Sequence, residues 1–370
     1  MYDNQKNFML DQILEHALGG IKPGREEIIY LLNLKENEDT EKIFSAARQI
    51  RDRNFDKQVF MYGFVYFSTY CRNDCTFCFY RRSNKVSKRY RKTRAEILET
   101  AEKLTESGVH LLDLTMGEDP YYFDEGRFAE LLEITEAVMK VSGLPVMISP
   151  GVVPSSVLAQ FAALGVDWYA CYQETHNRDL YAQMRLEQDY DERLNLKHYA
   201  HRLGMLAEEG LLAGIGETAE DLAESFRVME ELSADQVRVM SFVPQEGTPL
   251  AGKTIMPRLR EMLVIALMRI LFPDRLIPAS LDVDGIAGLK QRLNAGANVI
   301  TSIIPPDQGL MGVSQSTLDI KEGGRTVNGT IPIIEDCGLT PASVTDYRKW
   351  LDQRKLLYSR TAEQPDSGGA

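Results

Sequence analysis

The chain has 370 residues, 44% of them hydrophobic and 26% charged, enough to bury one large core or two ordinary ones. Its 54 acidic residues against 42 basic ones leave a formal charge of −12, which excludes a broad basic surface for a nucleic-acid backbone. No apolar run reaches the ~18 residues of a membrane span, and the polar start MYDNQKNF has neither the basic nor the apolar region of a signal peptide, so a cytoplasmic protein handling small molecules is expected.

Three amphipathic stretches come first, from Lys6 to Leu18, Arg25 to Leu34 and Asp39 to Asn54, each with apolar residues at helical spacing. They predict a helical preface over residues 1–57. From Val59 onward, strand-like runs alternate with helical ones: VFMYGFVYF, HLLDLT, PVMISP, DWYACY, LLAGIG, QVRVMSFV, LIPASL and NVITSII. Several of the intervening helical stretches end in Gly, which suits a helix C-terminus. This rhythm predicts an α/β fold, a (β/α)8 TIM-type barrel over residues 58–305 with an N-terminal helical extension; an open doubly wound sheet is the alternative that periodicity leaves standing. Residues 306–360 read as a C-terminal extension packing on the barrel, with DYRKWLDQRKLLY as a last helix, and 361–370 as a disordered tail.

Three of the five cysteines, Cys71, Cys75 and Cys78, share the loop that follows the first strand, on the barrel face where such folds keep their chemistry. In a reducing compartment a tight group of thiols points to metal binding rather than disulfides. The spacing C-x3-C-x2-C leaves a structural zinc site one ligand short. Three thiolates do suit a 4Fe-4S cluster in which one iron is left for a ligand from outside the protein. Cys171 and Cys337 read as small buried hydrophobes. The run RRSNKVSKRYRK at 81–92 reads as a solvated loop, able to cover the cluster or to meet an acidic partner.

With Phe77 just before the last cysteine, this spacing resembles the signature of the radical S-adenosylmethionine (SAM) enzymes. The resemblance implies that SAM chelates the open iron and is cleaved by an electron from the cluster to methionine and a 5′-deoxyadenosyl radical. DLTMGEDPYY after the second strand and YQET after the fourth resemble the branch that holds biotin synthase, the E-type hydrogenase maturase and the methylornithine synthases of pyrrolysine biosynthesis. There the GED turn, with Glu118, resembles the one that meets the SAM amino group, and Glu174 with Arg193 resembles the maturase pair that holds SAM polar groups. A carboxylate can accept from ribose or ammonium donors and an arginine can fork onto a carboxylate, so the residue types suit those roles. An exposed acid and a solvated face are the ordinary alternatives for that pair. Ser149 is a further candidate for the same cofactor, with helix capping as its ordinary alternative.

YFSTYC, MISPGV, VRVM, PQEGTPL, IPASLD and LNAGAN extend the likeness to the methylornithine synthases over about residues 10–350. It implies an isomerase that rearranges L-lysine to (3R)-3-methyl-D-ornithine by hydrogen abstraction and migration of a carbon fragment, with product-binding residues at Asp113, Arg238, Ser280 and Asp282. A charge count agrees, because two acids and one base in apolar surroundings match the two ammoniums and one carboxylate of lysine. Pairing of these groups with one another, or capping by Asp282 of a helix near Asp284, is the ordinary alternative. A maturase-like enzyme acting on another small amino-acid-like substrate is the enzymatic runner-up. An iron-sulfur electron carrier is the non-enzymatic one, although it would want four ligating cysteines. The implied partners are L-lysine and an electron donor such as flavodoxin or ferredoxin, and nothing in the sequence points beyond a monomer.

Overall fold

A strand buried on both faces must be apolar at every position, and Gln58–Ser68 (β1), rich in Val, Phe and Tyr, is buried throughout after its first residue. The computed structural model describes residues 2–35, 37–305 and 324–362. Parallel strands β2 (Leu111–Met116), β3 (Val146–Ser149), β4 (Trp168–Ala170), β5 (Leu206–Ala213), β6 (Gln236–Ser241), β7 (Pro278–Ser280) and β8 (Val299–Ile303) join β1 in the order β6-β5-β4-β3-β2-β1-β8-β7. A bridge between Gln236 and Leu276 joins the two ends of this sequence near the start of β6. The sheet is therefore a nearly closed eight-stranded barrel, and the open doubly wound alternative falls away.

Side chains alternate across each strand. Tyr62, Phe64 and Tyr66 of β1 cluster inward with Leu111, Met147 and Trp168, whereas Val59, Met61, Val65 and Phe67 join the core beneath the outer helices. Between the strands lie α4 (Arg94–Ser107), α5 (Pro120–Phe123), α6 (Phe128–Ser142), α7 (Ser155–Leu164), α8 (Arg178–Met184), α9 (Tyr190–Arg202), α10 (Ala219–Glu231), α11 (Leu259–Leu271) and α12 (Leu289–Asn294), the last preceded by a short 3-10 turn. Gly108 and Gly143 end α4 and α6 in the left-handed conformation that the sequence suggested.

The preface forms α1 (Tyr2–Leu18), α2 (Arg25–Leu32) and α3 (Asn37–Phe55), with α3 lying along α11. Arg51 in α3 donates to the carbonyl of Leu293 at 2.6 Å, satisfying an open end of α12. After the barrel come α13 (Val327–Asp336), β9 (Thr340–Pro341), which pairs with the start of β1, and α14 (Val344–Ala362). From α14, Tyr347 accepts from Tyr62 (2.9 Å) and from the Trp168 indole (3.0 Å), so this helix seals the mouth of the barrel opposite the cysteine loop. The expected tail begins later than the pattern suggested, since α14 runs through Ala362; its remainder, 363–370, and residues 306–323 lie outside the described residues.

Candidate active site

The three cysteines hang on a loop without helix or strand, between β1 and α4. Its course is set by backbone bonds to its neighbours: the Arg72 amide donates to the Glu118 carbonyl (2.8 Å) and the Thr76 amide to the Met184 carbonyl (2.9 Å). Cys75, Phe77 and Cys78 pack with Met184, Leu212, Ile215 and Phe242. Burial pushes the Cys71 thiol up to about 11 and raises Cys78 further, aided by the neighbouring sulfurs. Cys71 and Cys78 are thus poorly placed to ionise alone, and a metal centre would supply the compensating charge. Among the described residues no three Cys, His, Asp or Glu side chains converge on the geometry of one ion. That donor set fits a 4Fe-4S core better than zinc, because each thiolate of such a core binds a different iron.

Beside the thiols stands a buried polar wall. Glu174 holds a left-handed backbone (φ 71°) at the end of the β4 loop, pinned between the Gly210 carbonyl (3.0 Å) and the Leu212 amide (2.9 Å). Backbone strain at a non-glycine residue is tolerated only where the surroundings enforce it. Its carboxylate accepts from Arg185 at 2.7 Å, and Arg185 in turn lies 3.7 Å from the Cys75 sulfur and 5.4 Å from the centre of the Phe77 ring. Gln188 donates to the same sulfur at 3.0 Å. The cation bonded to Glu174 is Arg185, a residue that the sequence reading of Glu174 and Arg193 did not include. Arg193 instead donates to Gln188 (2.7 Å), to the Cys171 sulfur (2.9 Å) and more weakly to Glu118 (3.4 Å).

Glu118 also receives Arg72 (3.0 Å) and the Val152 amide (3.0 Å). The Nε atoms of Arg185 and Arg193 are buried without a partner, so the wall has donors to spare for an anionic ligand. Cys171 serves as an arginine acceptor rather than a plain hydrophobe, and Cys337 is half-exposed rather than buried.

Deeper in the barrel lies a second charged group. Arg238 projects inward from β6, as expected, and its Nε donates to Glu208 at 2.7 Å; Glu208 also accepts from Tyr172 at 2.8 Å. The Nη2 atom of Arg238 is buried without a partner. Asp113 on β2 is 1% exposed and bonded to Ser149 (2.8 Å). Burial pushes its carboxyl up to about 7, with Glu208 and Asp282 adding to the rise while Ser149 and Arg238 oppose it. Ser149 therefore belongs to Asp113 and caps no helix, since α7 starts only at Ser155.

Asp282 is fully engaged. It accepts from Tyr66 (2.9 Å), Ser302 (2.7 Å) and Arg325 (2.7 Å), a residue of the C-terminal extension, and its own amide donates to Ser280 (3.2 Å). It neither pairs with Arg238 nor caps the 3-10 turn. The expected two acids and one base become three carboxylates, Asp113, Glu208 and Asp282, against two guanidiniums, Arg238 and Arg325, all buried. Glu208, Arg185, Gln188 and Arg325 were not singled out by the sequence pattern. The one available signal was the pair Glu208-Glu209: in a strand, adjacent residues face opposite sides, so one acid must enter the barrel.

A parallel barrel with a three-cysteine loop after β1, walled by two acids and two arginines, defines a radical SAM protein, and the chain belongs to that superfamily. The family model described as "Radical SAM superfamily" matches residues 65–229. Such enzymes use a 4Fe-4S cluster and SAM. More particularly, the chain is 43% identical over 338 residues to the 3-methylornithine synthase of Methanosarcina barkeri, spanning 91% of this chain and 95% of that one. It is 32% identical over 279 residues to the FeFe hydrogenase maturase subunit HydE of Thermotoga maritima, 75% of this chain and 79% of the relative. The crystal structure of methylornithine synthase (PylB) superimposes with a TM-score of 0.87 at 41% identity, covering 91% of this chain and 99% of the other.

Proposed function

We infer that the chain is a radical SAM mutase that converts L-lysine to 3-methylornithine. The likeness to methylornithine synthases over nearly its whole length supports the reaction class. The observation that carries the substrate is the unequal charge of the lumen among the described residues, three carboxylates to two guanidiniums. Lysine brings two ammoniums and one carboxylate, so one net positive charge meets one net negative charge in a dry site.

Among the described residues Asp113 is the carboxylate of this group with no cation bonded to it, and it takes an ammonium. The spare Nη2 of Arg238, held on its far side by Glu208, takes the carboxylate. Ser280 and Asp282, bonded to each other through the Asp282 amide, receive the other amine, with one of the present side-chain partners of Asp282 giving way to it. The polar wall of Glu174, Arg185, Arg193 and Glu118 would hold the amino-acid and ribose portions of SAM, which supplies a hydrogen-abstracting radical when bound. Holding both ends of the substrate in ionic contacts keeps its two carbon fragments together through the rearrangement and excludes water.

The electron comes from a small acidic carrier such as flavodoxin or ferredoxin. Arg82, Lys85 and Lys88 support this reading, since they stand exposed on the segment that follows the last cysteine, in a chain that is acidic elsewhere. A cytoplasmic setting suits the five free thiols; no helix of the described residues is long and apolar enough to cross a membrane. Anaerobic incubation of the iron-loaded protein with SAM, reductant and carbon-labelled L-lysine tests the proposal. Formation of labelled 3-methylornithine is expected; 5′-deoxyadenosine without any change in lysine would overturn the substrate assignment.

A further inference from the structure

The basic run at 81–92 divides into two kinds of cation. Arg82, Lys85 and Lys88 face solvent, whereas Arg81 turns inward to Asp74 (2.8 Å) and Arg91 forks onto buried Asp119 (2.7 and 2.6 Å). Arg89 turns inward as well, but toward no carboxylate among the described residues. Its guanidinium donates instead to four backbone carbonyls: Thr69 (2.5 Å) and Tyr80 (2.8 Å) through Nη1, Arg81 (2.6 Å) and Asn84 (3.4 Å) through Nη2. Thr69 lies just before Cys71, and the other three lie just after Cys78. One side chain therefore ties together both ends of the loop that carries the thiols.

The base of this tie is itself rigid. Residues 90–92 return antiparallel along the end of β1, with the Thr69 amide donating to the Tyr90 carbonyl (3.0 Å), the Lys92 amide to the Phe67 carbonyl (2.8 Å) and a bridge between Ser68 and Arg91. Arg89 thus reaches out from the barrel wall itself. Asn84 extends the tie by donating to the carbonyls of Phe79 (2.9 Å) and Glu246 (2.9 Å), which joins the thiol loop to the segment after β6.

We propose that Arg89 is the positioning residue of the cluster loop, a clamp that holds Cys71, Cys75 and Cys78 in their binding arrangement and slows release of the iron-sulfur core. The loop has no secondary structure of its own, so ordering it costs conformational entropy that the core would otherwise have to offset on binding. A planar fork with five donors can serve carbonyls on two chain segments at once, which a lysine ammonium on its flexible stem does less well. Its charge, not neutralised by any acid in contact among the described residues, also favours an anionic core carried on three thiolates.

The test uses the full chain, reconstituted anaerobically, in wild-type, Arg89→Met, Arg89→Lys and Lys85→Met forms. Iron and sulfide per chain, the rate of iron transfer to a ferrous chelator and the melting temperature of the apoprotein are measured. Loss of charge-assisted hydrogen bonds predicts iron release about ten-fold or more faster in Arg89→Met, with an intermediate rate in Arg89→Lys. Lys85→Met, which removes one charge from the same loop, retains iron like wild type, and the apoprotein melting temperatures stay together. Added guanidinium ion, well below denaturing concentration, slows iron loss from Arg89→Met. Wild-type iron retention in Arg89→Met overturns the proposal. So does a loss that merely follows a lowered apoprotein melting temperature and is untouched by guanidinium. Should Arg89→Met fail to fold, Arg89→Lys decides by the same two readouts.

Discussion

Arg238 on β6 and Glu208 on β5 meet inside the barrel at 2.7 Å, and the arginine keeps one buried nitrogen, Nη2, without a partner. A buried guanidinium that is only half satisfied has a reason to wait for an anion, and in the proposed function that anion is the substrate carboxylate. Replacing Arg238 by Met leaves Glu208 as an uncompensated buried charge, which costs about 3–5 kcal/mol of stability. The double change Arg238→Met with Glu208→Leu is expected to recover most of that stability yet still fail to bind lysine. Urea unfolding and lysine titration of the three proteins check both halves of this statement.

If Asp113 takes a lysine ammonium as proposed, lysine binding depends on pH. Its carboxyl titrates near 7 because it is buried, so below that pH it is neutral and offers no charge to an ammonium. The apparent KM for lysine is expected to rise as pH falls from 8 to 6, and binding near pH 7 releases a proton, which calorimetry in buffers of different ionisation enthalpy reads directly.

The same shift sets a stability trend of defined sign. A carboxyl whose folded pKa lies above its unfolded value binds more protons in the folded state, so stability falls as pH rises from the unfolded pKa through about 7. The full effect is on the order of 4 kcal/mol, from roughly three pKa units of difference. Asp113→Asn is therefore expected to melt higher than wild type at pH 8, to differ less at pH 5, and to lose lysine turnover. Thermal melts at the two pH values would show the trade between function and stability; equal shifts at both would contradict it.

Glu174 and Arg185 make a different claim, on the cofactor. Arg185→Met leaves the Glu174 carboxylate buried without its cation and removes a donor beside the Cys75 sulfur. The expected result is a SAM affinity lower by about ten-fold or more, the equivalent of one lost charge-assisted bond. The spectroscopic change that SAM induces in the cluster checks this, while iron content stays near wild type.

Asp282 and Arg325 join the C-terminal extension to the barrel lumen. Arg325→Met is expected to destabilise the protein by about 3–5 kcal/mol through the unpaired Asp282. Arg325→Lys, which keeps the charge, loses less. Hydrogen exchange over β7 and β8, compared with that over β3 and β4, reports whether the loss is confined to that side.

The barrel was legible in the chain because strands and helices leave different periods, and all eight expected strands appear. The fifth was placed too late. LLAGIG covers only the end of Leu206–Ala213, since the acids Glu208 and Glu209 made the first half read as polar. Each acid meets a base contributed by another element, Glu208 the inward Arg238 and Glu209 the outward, fully buried Lys197. The cysteine loop was readable because its three thiols are close in sequence. The basic run that follows was read as solvated, yet three of its arginines turn inward, one of them onto carbonyls that leave no mark on composition.

Taken alone, the order of residues determined the barrel, the three-thiol loop on its active face and the inward direction of Arg238, because each rests on local spacing or alternation. Only the folded chain decided the partners: Arg185 for Glu174, Glu208 for Arg238, Arg325 for Asp282 and four carbonyls for Arg89. Charges buried in a low-dielectric interior must be matched in space, and the matching groups come from segments far apart along the chain.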